Sequence, residues 1–312
     1  MNPRIILAPL EGMTDSVFRN CYYEHFDGLD AALAPFLPIP DKVVRVPRKV
    51  LRDVAPPGSS KVPEIPQLLV STPESFLIAG RALEDASYED VNWNLGCPSK
   101  GVVNKGKGAG MLPRTEDILK LLDYVLPCLS LKVSLKIRLG MYRAEESFDL
   151  VSRLKGYPLK ELICHPRLGS AMYRGSPDLE GFATIAEITD IPLIYNGDIL
   201  CQDDFVKLKE RFPSVSGWMI GRGLIQNPFL PDLIKGKGIS SVVQKERFRI
   251  FLESLYISYK KTIPIEGHRI GRIKSFLFFV IKGLEDKEIL VKKIRSIHTE
   301  EEFFRFMTHL FQ

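Results

Sequence analysis

What most limits the fold of this chain is an alternation. Short apolar runs and helical patterns take turns through the first 235 residues, at intervals of roughly thirty. The apolar runs fall at residues 5–8, 31–34, 65–70, 90–95, 133–138, 161–165, 192–196 and 217–221. Helical patterns lie between them at 15–25, 73–85, 115–126, 145–154, 182–187 and 203–212. Only the connection at 35–63 is proline-rich and poorly patterned. Eight apolar strands with helical crossovers predict an α/β fold, a (β/α)8 TIM barrel rather than an open sheet. An open dinucleotide-binding sheet would want G-x-G-x-x-G after its first strand, and Ala8-Pro9-Leu10-Glu11-Gly12 does not supply it.

After Lys235-Gly236-Lys237-Gly238 the pattern changes. Residues 244–261, 268–282, 287–297 and 300–311 read as helices with no strand among them. The expected organisation is a barrel over 1–235 followed by an all-helical C-terminal domain over 240–312. The aromatic stripe of that domain (Phe248, Phe251, Leu255 and Tyr259; Phe276, Phe279 and Val280) is most simply bundle core. From residue 236 onward there are 15 basic and 9 acidic residues, whereas the first 235 carry 28 and 29. The net charge of +5 therefore sits in the last quarter. Basic helical modules meet nucleic acid or acidic membranes, and the plainer alternative is a solvated helical face.

No apolar run approaches the roughly 20 residues that span a bilayer. The opening MNPRIILAPLEG lacks the basic region and hydrophobic length of a signal peptide. A cytoplasmic protein without membrane contact is expected. The five cysteines are scattered and never form C-x-x-C, which argues against a disulfide framework and a structural zinc site.

In a (β/α)8 barrel the chemistry gathers at the C-terminal ends of the strands. Those ends carry Pro9-Leu10-Glu11, Gln67, Asn94 with Cys97, Lys136 with Arg138, His165, Asn196-Gly197-Asp198 and Gly221-Arg222. Each has a plain structural explanation, such as a strand cap or a lysine reaching for the rim. Their shared position in the repeat is the stronger signal. The stretch 92–110, NWNLGCPSKGVVNKGKGAG, holds five glycines and three lysines and places Cys97 on a Gly-Cys-Pro turn before a basic glycine-rich loop. Most free cysteines are buried small hydrophobes; this loop favours a reactive thiol facing an anionic substrate. Gly221-Arg222-Gly223 and Asn196-Gly197-Asp198, on consecutive strands, suggest the phosphate site that barrels build from these two loops.

Ala8-Pro9-Leu10-Glu11-Gly12-Met13-Thr14-Asp15 with Phe18-Arg19 resembles the opening signature of the tRNA-dihydrouridine synthases. So do Asn94-Leu95-Gly96-Cys97-Pro98-Ser99-Lys100 with Gly106-Lys107-Gly108-Ala109, Lys136-Ile137-Arg138-Leu139-Gly140, and His165-Pro166-Arg167. Asn196-Gly197-Asp198-Ile199 and Met219-Ile220-Gly221-Arg222-Gly223 complete a match that covers the barrel in order and extends more weakly into the helical tail. The Leu-Glu-Gly form of the first block resembles the C-type bacterial branch, which modifies U16 of the tRNA D-loop. The chain departs from the family at His165-Pro166-Arg167-Leu168, where His-Gly-Arg-Thr is usual. The segment Ala34-Pro35-Phe36-Leu37-Pro38 also lacks the acidic-aromatic-basic pattern of the C-type branch.

The resemblance implies an FMN enzyme, refilled by NADPH or NADH, that reduces a uracil ring in tRNA and needs no stable protein partner. Cofactor contacts are then expected from Pro9, Leu10, Glu11, Gln67, Lys136, His165, Asn196, Gly197, Asp198, Gly221 and Arg222. Lys136 would offset negative charge on the reduced flavin, and Cys97 would give the proton to C5 as general acid. Asn94, Arg138, Tyr173 and Arg174 would hold the uracil and its phosphates. Lys100, Lys105 and Lys107 near the pocket mouth, with Arg269, Arg272 and Lys274 on the tail, would meet the RNA backbone. Two other readings remain open: an FMN barrel acting on a free pyrimidine, such as a dihydroorotate-type oxidoreductase, and an RNA-binding protein on a decayed barrel.

Overall fold

Strands Asp90–Leu95 and Lys132–Arg138 explain why the apolar runs close into a ring. Successive side chains of a strand point to opposite faces. Val91, Trp93, Leu95, Val133, Leu135 and Ile137 join the apolar layer that includes helix residues such as Phe76, Ile118 and Leu121. The alternate positions, Asn92, Asn94, Ser134, Lys136 and Arg138, therefore face the barrel interior. The rest of that interior is apolar: Ile6, Ala8, Ala31, Leu33, Ile65, Ile163, Ile194 and Met219 form their own cluster. The barrel lumen thus has one greasy side and one polar side.

The computed structural model describes residues 2–42, 44–283 and 286–311. Its strands Ile5–Leu7, Ala31–Leu33, Asp90–Leu95, Lys132–Arg138, Leu162–His165, Leu193–Asn196 and Gly217–Ile220 pair in parallel with their neighbours, and the last returns to the first at Ile5 opposite Trp218. The expected third strand at 65–70 is two pieces, Glu64–Ile65 and Gln67–Leu69. Pro66 between them has no N–H for the ladder. The first piece pairs with the second strand, Ala32 opposite Glu64. The other pairs with the fourth, Gln67 opposite Asn92. The ring closes across that break, as a (β/α)8 barrel.

The helices follow the expected pattern closely, and local chemistry sets their starts. Asp15 caps Ser16–His25 by accepting from the Phe18 N–H at 3.0 Å, and Thr72 with Pro73 opens Pro73–Asp85. The exception is the connection between strands two and three, which holds, among the described residues, only a two-residue strand, Leu37–Pro38, and a four-residue helix, Arg48–Leu51. Arg19 pins this stretch: its Nε and Nη2 donate to Glu64 at 2.8 and 2.9 Å, and its other contacts reach the carbonyls of Thr14 and Asp53. Both partners of that ion pair are almost wholly buried, with side-chain exposures of 0% and 1%.

Helices Ser241–Thr262, Glu266–Val280, Lys287–Arg295 and Glu300–Leu310 follow the barrel. Their aromatic stripe is not only bundle core. Phe251 lies against Phe18, Tyr22 and Phe26 of the first barrel helix, with ring centroids 5.9, 6.3 and 5.0 Å away, and Phe276 stacks on Phe18 at 5.3 Å. Barrel and tail share one continuous apolar cluster. The Tyr259 hydroxyl donates to the Asp15 carboxylate at 2.8 Å, tying the tail to the cap of the first barrel helix. Tyr259→Phe is expected to lower stability by about 1.5–3 kcal/mol, the worth of a hydrogen bond to a charged group, measurable by urea denaturation.

Candidate functional site

The C-terminal rim of the barrel encloses a cavity of ≈ 600 Å³, within the range of about 300–1,000 Å³ typical of small-molecule sites. Its lining includes all eleven residues expected at a cofactor: Pro9, Leu10, Glu11, Gln67, Lys136, His165, Asn196, Gly197, Asp198, Gly221 and Arg222. Cys97, Asn94, Arg138 and Tyr173 line it too.

On the polar side of the lumen the side chains form a relay. Gln67 Nε2 donates to Asn92 Oδ1 at 2.7 Å, and Asn94 Nδ2 donates to Gln67 Oε1 at 2.8 Å. Asn94 Oδ1 in turn accepts from the backbone N–H of Gly96 at 3.1 Å and of Cys97 at 2.8 Å. Gln67 thus keeps one donor and one acceptor site in hand for a ligand. Asn94 holds the turn on which Cys97 sits. Gly108 is required behind it, at φ +57°, because a Cβ there would lie 2.6 Å from the Cys97 carbonyl oxygen. Of the five free cysteines, Cys21 and Cys164 are buried and their thiols are pushed up to about 12, chiefly by burial. Cys128 and Cys201 are exposed, and Cys97 is the one that lines the cavity.

Lys136 is half-buried beside Cys97 and Arg138, and it makes no hydrogen bond or ion pair among the described residues. Burial first, and then the Arg138 charge, hold its ammonium down to about 8. A cation kept in this position without a counter-charge favours an anionic ligand. Arg167, absent from the expected site, organises the opposite wall. Its Nη1 lies 3.1 Å from His165 Nε2. A guanidinium cannot accept, so Nε2 carries the lone pair and Nδ1 the proton. Burial, aided by Arg138, Lys136, Arg167 and Arg222, keeps His165 neutral, well below its ordinary value.

Asp198 lies between Arg167 and Arg222 and pairs with both. Burial pushes its carboxyl up, but the hydrogen bonds and charges of the two arginines outweigh this and hold it below the usual range. The loops after strands seven and eight touch through backbone: a Cβ on Gly223 would lie 2.0 Å from the Ile199 carbonyl oxygen. Asn196 Nδ2 donates to the Met219 carbonyl at 2.9 Å and braces the same pair of strands. Tyr173 lies between two guanidiniums, Arg138 at 5.3 Å and Arg222 at 5.4 Å from its ring centroid.

Not every expected residue is available to a ligand. Lys107 is buried, donates to the Ile39 carbonyl at 2.7 Å and pairs with Asp41 at 2.8 Å, so it fastens two loops together instead of waiting for a phosphate. Arg269 is buried as well, with its guanidinium on the carbonyls of Ile263 and Pro264 at 2.9 and 2.6 Å. Arg272 reaches the Gly12 carbonyl and stands over the Tyr259 ring, bridging tail and barrel. Lys274 donates to the Arg295 carbonyl at 2.8 Å. Lys100, Lys105 and Arg174 lie at the surface, and Lys105 borders a neighbouring pocket. Conversely, Phe36, Phe279 and Lys282 line the cavity without having been expected there. Phe279 packs against the core as the sequence predicts and also reaches the cavity.

A closed parallel barrel whose rim carries a hydrogen-bond-rich cavity with a cation and a free thiol defines a (β/α)8-barrel enzyme. Histamine dehydrogenase from Rhizobium sp. 4-9 shares this fold with a TM-score of 0.58, at 10% identity, over 82% of this chain and 49% of that one. Morphinone reductase, solved with tetrahydroNAD, does so at 0.52 and 12%, over 76% and 88%. The family model described as dihydrouridine synthase (Dus) matches residues 6–276, and the chain belongs to that family. Among similar proteins are the tRNA-dihydrouridine(16) synthases of Cupriavidus necator, 28% identical over 98% of this chain and 97% of that protein, and of Shewanella oneidensis, 29% identical over 97% of each. The relatives of that designation agree with the C-type resemblance of the first block.

Proposed function

We propose that the protein reduces the C5–C6 bond of uridine 16 in the D-loop of tRNA, with FMN as the bound cofactor and NADPH or NADH as the reductant. The observation that carries this reading is one cavity holding both the unpaired Lys136 cation and the Cys97 thiol. The residues fit FMN. Lys136 would offset the negative charge that FMN carries when reduced, Gln67 would offer its free donor and acceptor to the ring, and the loops 196–198 and 221–223, with Arg222, would hold its phosphate. Bound there, FMN would supply the hydride that uracil takes at C6.

The chain's own part is to present the base and move the proton. Cys97 Sγ–H gives its proton to C5 and regains one from solvent, so C5=C6 becomes a saturated bond. Asn94 would orient the uracil and sets the Cys97 backbone, while buried Arg138, its guanidinium on the carbonyls of Gly96, Leu168 and Met172, holds the loop that brings Tyr173 to the cavity. The base must be turned out of the RNA, at a cost of a few kcal/mol, offset by phosphate contacts. In this reading residues 1–235 bind the flavin and 240–312 bind tRNA. Lys100, Lys105 and Arg174, exposed at the surface, are the backbone contacts, and Lys107, Arg269, Arg272 and Lys274 hold the surfaces that carry them.

The direct test is incubation of the protein with FMN, NADPH and unmodified tRNA, followed by mapping of dihydrouridine. The expected product is dihydrouridine at position 16. Equal reduction of free uridine would instead favour a small-molecule oxidoreductase.

Lys136 gives a second test. An anion beside it favours the ammonium and raises its pKa above the value of about 8 held in the free protein. Binding then takes up a proton between the free and bound values. FMN affinity is therefore full below about pH 8 and falls as pH rises through it, by up to about tenfold per pH unit. Lys136→Gln is expected to weaken binding and flatten that profile, read by quenching of flavin fluorescence. A wild-type profile level from pH 7 to 10 would place the flavin's charge elsewhere.

A further inference from the structure

Beside the catalytic cavity lies a second pocket of ≈ 570 Å³. It shares Glu11, Phe36 and Ser99 with its neighbour, so Phe36 stands on the partition between the two. The pocket is a built feature. Pro38, Ile39, Pro40, Leu69 and Val102 give it apolar walls. The clasp of buried Lys107 on the Ile39 carbonyl and Asp41 joins the 36–41 loop to the loop that follows Cys97. Lys105, exposed at its edge, is the cation that the clasp leaves free of any partner among the described residues.

We infer that this pocket receives the base of the nucleotide adjoining the reduced uridine, stacked on Phe36, with its phosphate toward Lys105. The inference rests on the RNA substrate proposed above and adds a subsite to it. Three features favour this occupant. The pocket adjoins the cavity that takes the flipped base, with Glu11, Phe36 and Ser99 common to both, so the strand entering one passes the rim of the other. An aromatic face with apolar walls suits any base, because every base has a π-face. A single exposed cation suits the one phosphate that comes with it.

The geometry supplies a clean probe. Gly101 lines the second pocket and not the first, and a Cβ built on it has no heavy atom within 4 Å. Gly101→Phe places a ring on the wall of the second pocket with no clash at its Cβ. On tRNA carrying uridine at 16, Gly101→Phe and Phe36→Ala are each expected to raise KM on the order of tenfold, the usual scale for one base–aromatic stack. The same measurement on tRNA with an abasic site 5′ or 3′ of that uridine completes a double-mutant cycle. With one of the two abasic tRNAs the variants and the wild type should converge. Additive penalties with both would overturn the proposal, as would a rise in the KM for NADPH with tRNA affinity unchanged, which would assign the pocket to the reductant. Failure of the wild type to reduce any tRNA would instead overturn the functional reading itself.

Discussion

Cys97→Ala is expected to slow dihydrouridine formation by roughly 10²–10⁴-fold, the range that a positioned acid contributes, while FMN and tRNA binding persist. The separation is expected because the turn does not depend on the sulfur. Asn94 Oδ1 holds the Cys97 N–H, and the Cys97 carbonyl accepts from the Ala109 N–H at 3.0 Å. Both bonds are backbone bonds at residue 97, and alanine keeps them. The thiol itself has only a loose contact, 3.6 Å to Ser99 Oγ, so its removal leaves no strong acceptor stranded. Single-turnover reduction, flavin retention and tRNA binding measured on the same preparation will separate chemistry from assembly. A near wild-type rate would give the proton to another group or to water.

Arg19→Met is expected to cost about 3–5 kcal/mol of stability, because it leaves Glu64 charged and buried without its partner. Glu64 would keep the Ala55 N–H at 2.8 Å and the Tyr23 hydroxyl at 3.1 Å, neither of which neutralises it. Adding Glu64→Gln to Arg19→Met should restore part of the loss, so the double variant falls short of the sum of the singles. Denaturant midpoints of the three variants test this, and a single-variant loss under about 1 kcal/mol contradicts it. The effect should extend to the site, since Glu64 begins the broken strand that delivers Gln67 three residues later.

The barrel and its rim were legible because they are periodic. Polar residues recurring at one phase of the strand repeat need no three-dimensional information to be noticed. The break in strand three was also written in the chain, as Pro66, but an apolar run hides a missing N–H. The pairing of Lys107 was hidden for a different reason. A lysine among glycines signals an anion, and the anion here is Asp41, a counter-charge far upstream that no local pattern reveals. Arg167 stood in the His165-Pro166-Arg167 block, yet its role depends on Asp198 at the next strand end, a pairing across strands. Phe279 and Lys282 gave no local sign at all, because only the fold of the tail against the barrel brings them to the rim.

The seam between the first and last thirds of the molecule has a consequence for synthesis. Cys21 and Phe251 touch across 230 residues of chain. Phe18, Tyr22 and Phe26 leave the ribosome long before Phe251 and Phe276, which cover them. At the usual pace of about 5–20 residues per second, that aromatic face waits on the order of ten to fifty seconds for its cover, an interval in which a nascent chain depends on holding factors to escape clumping.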